Sequence, residues 1–211
     1  MRLLLIRHGQ TAANLAGALD TAAPGAPLTE LGHRQADALV DVLREEPIGA
    51  VFVSPLTRAR QTAGPLSSAL GLRPAVRAGL RELEAGVWEL STAGDDVSRY
   101  AAVVSAWACG RPDVPMPGAS DGRDFLGRFD AVTAEAAACG ARVAALVTHG
   151  TAIRIWAAAR TDNVCVGYAL ENEVPNTGVV VVEGTPAAGW RVVSWAGTEV
   201  GERTESALLV G

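Results

Sequence analysis

The stretch Leu3-Leu4-Leu5-Ile6-Arg7-His8-Gly9-Gln10-Thr11 changes character in its middle. Four consecutive apolar residues read as a short strand covered on both faces. A cation, an imidazole and a glycine follow at once. The same change recurs far along the chain, where Val143-Ala144-Ala145-Leu146-Val147 runs into Thr148-His149-Gly150. Each histidine is therefore expected where a buried strand ends and a loop begins. In an open α/β sheet that edge is where ligands bind. The chain holds only three histidines, and two of them take equivalent positions. Imidazole titrates nearest neutrality, which suits it to nucleophilic and proton-transfer work.

Outward from these runs, strand and helix signals alternate. Residues 2–6 read as a strand, 11–16 as a short helix and 17–28 as a loop rich in Gly, Ala and Pro. Thr29 is placed to cap a helix reaching Arg44, with Ala36, Leu39, Val40 and Leu43 on one stripe. A second buried strand at 48–53 ends at Ser54-Pro55, a helix spans 57–70, and 74–79 looks extended. The segment 80–128 is rich in Gly, Pro, Asp and Ser, with one short helix expected at 98–108. A helix near 121–139, a strand at 143–148, a helix at 151–160 and strands near 178–183 and 190–195 complete the pattern, and the tail after Gly197 shows little periodicity. Such alternation predicts a mostly parallel sheet with helices on both faces. Residues 1–211 then form one domain, with 80–128 as a cap-like insertion over the site edge.

Composition narrows the partners. With 49% apolar residues the chain is expected to be globular, and no apolar run is long enough to span a membrane. The first strand is too short for the apolar region of a signal peptide, so a cytoplasmic location is expected. A net charge of −5 argues against a nucleic-acid partner. All 18 basic residues are arginine, so any anion site must use Arg, His or backbone N–H groups. The planar Arg fork suits phosphate. Cys109, Cys139 and Cys165 lack metal-ligand spacing and read as idle thiols.

The chemistry gathers at the strand ends. Arg7 beside His8 draws an anion and disfavours the protonated ring, leaving a nitrogen free to attack. Gly9 is read as a place where the backbone approaches a ligand, and Thr11 and Asn14 open a helix whose N–H groups favour a phosphate. Two imidazoles and an Arg suit a tetrahedral oxyanion, one ring attacking phosphorus and the other donating to its oxygens. Arg58, at the start of the helix after the second strand, is expected on the same edge. Arg60 points elsewhere, and His33 reads as a surface residue. The leaving alkoxide needs a proton, and Glu82, Glu84 and Glu89 are the carboxylates in reach along the chain. Residue type alone does not choose among them. Trp88 and Trp107 fall within the cap segment.

Arg7-His8-Gly9-Gln10-Thr11 with Asn14 resembles the signature of the histidine phosphatase superfamily, in its phosphoglycerate mutase-like branch. Leu28-Thr29-Glu30-Leu31-Gly32, Ser54-Pro55-Leu56 through Thr62, Leu80 to Glu89, Thr148-His149-Gly150 and Asn176-Thr177-Gly178 fall where that family has similar segments. The resemblance implies a three-layer α/β/α sandwich with a mostly parallel mixed sheet, and chemistry with no metal and no cofactor. It makes His8 the nucleophile that becomes phosphohistidine. Arg7, Arg58 and His149 would hold the phosphoryl group, with Gln10, Thr11 and Asn14 at phosphate-loop positions, and Glu82 would be the proton donor. The acid phosphatase branch carries an Asp directly after its second His; Gly150 stands there in this chain. Three departures lie near the substrate mouth: Leu90 follows Glu89 in place of the family's Gly, residues 17–26 lack its Gln-Gly, and Gly118-Ala119-Ser120 replaces its Gly-Gly-Glu-Ser.

The expected activity is hydrolysis of a small-molecule phosphate ester, with a homodimer as an open question of assembly. A mutase is the alternative. It needs a grip on a second anion, and the short 80–128 segment offers only Arg81, Arg99, Arg111, Arg123 and Arg128. A non-enzymatic regulator that binds a phosphorylated ligand is the further alternative, motivated by the departures at the mouth.

Overall fold

The computed structural model describes residues 1–201; residues 202–211, at the end of the aperiodic tail, lie outside the described residues. Its centre is β1 (Arg2–Arg7), in which Leu3 to Ile6 are completely buried. Side chains alternate across a strand, so the four residues serve two cores. Leu3 and Leu5 join a cluster with Phe125, Phe129 and Trp156, whereas Leu4 and Ile6 join another with Leu39, Ala63 and Leu66. Full burial of such a side chain contributes about 1.5–3 kcal/mol, which makes β1 the seam of the molecule.

The remaining strands are β2 (Ile48–Val53), β3 (Ala75–Val76), β4 (Val143–Thr148), β5 (Val179–Thr185), β6 (Gly189–Trp195) and β7 (Thr198–Glu199). They form one sheet in the order β3-β2-β4-β1-β5-β6-β7. The first four in that order pair in parallel, and β5, β6 and β7 add antiparallel strands on the other side of β1. Helix α1 (Ala12–Ala16) follows β1, α2 (Glu30–Val42) and α3 (Thr57–Leu70) pack on one face, and α4 (Gly94–Ala108), α5 (Gly122–Ala138) and α6 (Gly150–Arg160) pack on the other, with α7 (Val166–Glu171) behind α6. This is the expected three-layer mixed α/β arrangement. Among the described residues, no helix is long and apolar enough to cross a membrane.

Local chemistry sets the helix ends. The Thr29 hydroxyl accepts from the Gly32 N–H at the start of α2, and the Asp121 carboxylate accepts from the Arg123 and Asp124 N–H groups at the start of α5. Helix α4 begins at Gly94, four residues ahead of the expected 98–108, because Asp95 and Asp96 fall in its first turn, where free N–H groups favour anions. The extended stretch expected at 74–79 shrinks to two residues of β3 and a single 3₁₀ turn at Ala78–Leu80. Neither α7 nor β7 was legible, since six and two residues are too short to display a period.

Residues 80–128 are rooted in the core. Leu80, Leu83 and Ala85 are fully buried, and α4 turns Tyr100, Val104 and Trp107 into the same cluster. The Trp107 indole donates to the Val114 carbonyl, and Trp88 packs half-buried against the cluster. His33 and Arg60 are exposed, as expected. None of the three cysteines is in a disulfide.

Candidate active site

Strands β1 and β4 pair in register, with Arg7 opposite Thr148. The next residue of each is a histidine, and both leave the same sheet edge together. The His8 N–H donates to the Thr148 carbonyl across 3.0 Å. The rings meet edge-on with centroids 5.2 Å apart, and both are buried.

His8 holds one tautomer. Its Nδ1 lies 2.7 Å from the Gly9 carbonyl oxygen, which can only accept, so Nδ1 carries the hydrogen and Nε2 keeps its lone pair. Arg58, in the first turn of α3, donates from Nε to that Nε2 across 3.0 Å. Burial, and next the Arg58 guanidinium, hold the His8 pKa well below the ordinary imidazole value. The ring is neutral at neutral pH.

Arg58 is itself clamped. Its Nη2 donates to the Asp20 carbonyl across 2.7 Å, and its Nη1 lies 3.3 Å from Asp20 Oδ2 in a buried ion pair. The same Oδ2 accepts from the Ala26 N–H. Gly25 lets the loop pass this close: a Cβ there would lie 2.3 Å from Arg58 Nη1, and its φ of +69° suits glycine.

His149 is wedged behind His8 and is not on the cavity wall. Its Nε2 lies 2.8 Å from Ser54 Oγ, and its Nδ1 has no hydrogen-bond partner. With the Ser54 hydroxyl donating, the ring proton sits on Nδ1, a buried position without a partner. Burial, with Arg58 next, lowers the His149 pKa well below the ordinary value as well.

Arg7 donates from Nη1 to the Val174 carbonyl across 2.6 Å, while its buried Nε has no partner. A Cβ on residue 150 would lie 3.1 Å from that Nε, so Gly150 leaves the guanidinium its room. Glu82 comes to the cavity from the segment after β3. Its Oε1 accepts from the Leu83 and Ala152 N–H groups, and its Oε2 accepts from the Thr151 N–H alone. The carboxylate thus sits on the first turn of α6, with Oε2 the less occupied oxygen.

The cavity holds about 330 Å³ and is lined by Arg7, His8, Thr11, Asn14, Arg58 and Glu82 among others. Glu84 and Glu89 are not on its wall: Glu84 pairs with Arg81, and Glu89 accepts from the Thr21 and Ala22 N–H groups and from the Thr21 hydroxyl. Glu89 therefore staples the 17–28 loop to the segment behind it. Among the described residues, no group of three His, Cys, Asp or Glu is arranged to hold a metal ion.

Three readings need correction. Gln10 does not line the cavity; its side-chain oxygen accepts from the Thr29 hydroxyl and its backbone serves α2, so it is a packing residue. Gly9 is required for approach to protein and not to ligand, since a Cβ there would lie 2.6 Å from the Gly32 carbonyl oxygen. Helix α1 is only five residues long, and Thr11 and Asn14 spend polar groups on each other in a capping box. Both still line the cavity, where Asn14 is also held by Asn176 Nδ2.

Sequence reasoning missed Asp20, Tyr100 and Glu173 on the wall, and the part played by Ser54. Asp20 left a faint signal, as the only charged residue of the Gly/Ala/Pro-rich loop 17–28. Leu90, one of the departures, adopts a φ of +61°. The backbone keeps the left-handed turn that suits the family's glycine although the glycine is gone.

The family model for the histidine phosphatase superfamily (branch 1) matches residues 3–198. The PE-PGRS family protein PE_PGRS11 of Mycobacterium tuberculosis is 40% identical over 215 residues, which cover 93% of this chain and 36% of that protein. The adenosylcobalamin/alpha-ribazole phosphatase of Salmonella typhimurium is 40% identical over 111 residues, covering 51% of this chain and 54% of the phosphatase. The matches thus span about a third and about half the length of these two relatives. Among solved structures, the mycobacterial glucosyl-3-phosphoglycerate phosphatase in complex with VO3 superposes with a TM-score of 0.77 at 27% identity, covering 92% of this chain and 98% of that one.

Proposed function

Because the chain belongs to the histidine phosphatase superfamily, branch 1, we propose that it hydrolyses a phosphate monoester of a small molecule through a phosphohistidine on His8. The observation that carries this reading is the state of His8: neutral, with Nδ1–H held by the Gly9 carbonyl and the Nε2 lone pair met by Arg58, on a cavity wall that Arg7 shares.

In the first step, the Nε2 pair of His8 forms a bond to phosphorus while the P–O ester bond breaks. Arg58 turns its Nε–H from Nε2 to a phosphoryl oxygen, Arg7 meets the anion with its unpartnered Nε, and His149 offers Nδ1–H. Protonated Glu82 passes its proton from Oε2 to the leaving alkoxide. In the second step Glu82 takes a proton from water, the water oxygen attacks phosphorus, and the P–N bond breaks to release phosphate. Thr11 and Asn14 line the cavity, and Glu82 and Tyr100 reach its wall from residues 80–128. A cytoplasmic setting fits the unbridged thiols of Cys109, Cys139 and Cys165.

The test is phosphate release from p-nitrophenyl phosphate by the full chain and by His8→Ala. We expect the substitution to abolish release with the thermal transition retained, and rapid quenching of wild type to trap an acid-labile phosphoenzyme. A variant that keeps most of its turnover would remove His8 from the nucleophile role. Conversion of 3-phosphoglycerate to 2-phosphoglycerate without phosphate release would replace hydrolysis by the mutase reaction. The regulator reading would stand if no ester were turned over.

A further inference from the structure

The cavity is charged unevenly. Among the described residues, Arg7 and Arg58 are the only arginines on its wall, against the carboxylates of Asp20, Glu82 and Glu173. Both arginines are committed to the phosphoryl position. Asp20 already shares Arg58. Glu173 is exposed and lines the cavity. Arg154 is not on the wall, and its Nε and Nη2 donate to the Ala169 and Leu170 carbonyls. Arg128 lies off the wall too, holding the carbonyls of Gly79, Arg81 and Glu82.

A bound phosphoryl dianion therefore uses the positive charge of this wall. A second anionic group on the same substrate would meet the Asp20 and Glu173 carboxylates with no further cation on the wall to answer it, in a cavity partly walled from water. The rest of the wall is uncharged, with the hydroxyls of Thr21, Tyr100 and Thr151 and the small side chains of Ala13 and Ala18. At about 330 Å³ the space lies at the small end of ligand sites.

We propose, on the phosphatase reading above, that the substrate is the phosphate monoester of a small uncharged polyhydroxy alcohol. It carries no carboxylate and no second phosphate, and Glu173 is the rim residue that turns anionic esters away.

Glycerol 3-phosphate and 3-phosphoglycerate make the test, since they share a carbon skeleton and differ by a hydroxymethyl against a carboxylate. Each is run with the full chain as a substrate and as a competitor of p-nitrophenyl phosphate, so that a preference is read even where turnover is slow. We expect kcat/KM, or the inhibition constant, to favour glycerol 3-phosphate by about tenfold or more. Glu173→Lys should narrow that ratio several-fold, and Glu173→Gln should narrow it less. Equal or reversed preference in the wild-type chain overturns the substrate class. A ratio unmoved by Glu173→Lys overturns the role of Glu173. Hydrolysis of p-nitrophenyl phosphate separates this failure from that of the phosphatase reading: if no ester is hydrolysed, the catalytic reading itself falls, and the substrate class with it.

Discussion

Arg58 donates its Nε–H to His8 Nε2 across 3.0 Å, so the ring nitrogen that keeps its lone pair is held by a buried cation. Asp20 fixes the other end of the same guanidinium. His8, Arg58 and Asp20 form one buried chain of contacts.

In the proposed mechanism, removing Arg58 takes away a phosphoryl contact, and it also removes the partner of the buried Asp20 carboxylate. Arg58→Ala is expected to lower kcat about 10²–10³-fold, as loss of a preorganised oxyanion donor does. Asp20→Ala strands a buried cation and should cost about 3–5 kcal/mol of stability. Urea unfolding with and without inorganic phosphate checks this, because an anion at Arg58 should restore more to Asp20→Ala than to wild type.

Glu82→Gln keeps an acceptor for the N–H groups of α6 and loses the proton donor. Hydrolysis of an alkyl phosphate should fall about 10²–10⁴-fold, whereas p-nitrophenyl phosphate, whose leaving group needs no proton, should lose far less. Equal losses on both esters would assign Glu82 a purely positioning role. Glu84→Gln, at a residue paired with Arg81 away from the cavity, should leave both rates near wild type.

Leu90 is exposed and holds a φ of +61°, so its side chain stabilises little while its backbone is strained. Leu90→Gly is expected to raise stability by about 1 kcal/mol, the strain relieved exceeding the entropy that glycine adds to the unfolded chain. The shift in urea midpoint measures it.

The two buried histidines also set a pH dependence of stability. Their folded pKa values lie well below the ordinary value, first through burial and then through Arg58. Above an unfolded pKa of about 6.5 neither state binds these protons. Below it the unfolded chain takes them up and the folded chain does not, so stability falls as pH drops from about 6.5 toward the folded values. Thermal melts between neutral and mildly acidic pH should show this slope, and His149→Asn should flatten it.

Much of the site was legible because its residues sit next to strong local signals. Arg7 and His8 follow an apolar run, His149 follows another, and Arg58 opens a helix just beyond a third. Glu82 stood in a segment with two other carboxylates, and no local feature separated it from Glu84 and Glu89. The separation came from packing: Leu80 and Leu83 are buried on either side of it, which turns Glu82 onto the first turn of α6. Gln10 was misplaced for the converse reason, since its partner Thr29 lies nineteen residues away across a loop with no period to read.

The sequence by itself determined the seam and its ends. A run such as Leu3 to Ile6 is stable only with both faces covered, and the polar residues that follow it must emerge at the sheet edge. Tertiary structure alone decided the register that sets His8 beside His149, the tautomer that frees Nε2, and the acid wall of Asp20 and Glu173. Those depend on contacts between residues far apart in the chain. Such contacts form only once two cores have closed on the sheet, and no short-range pattern of residues encodes them.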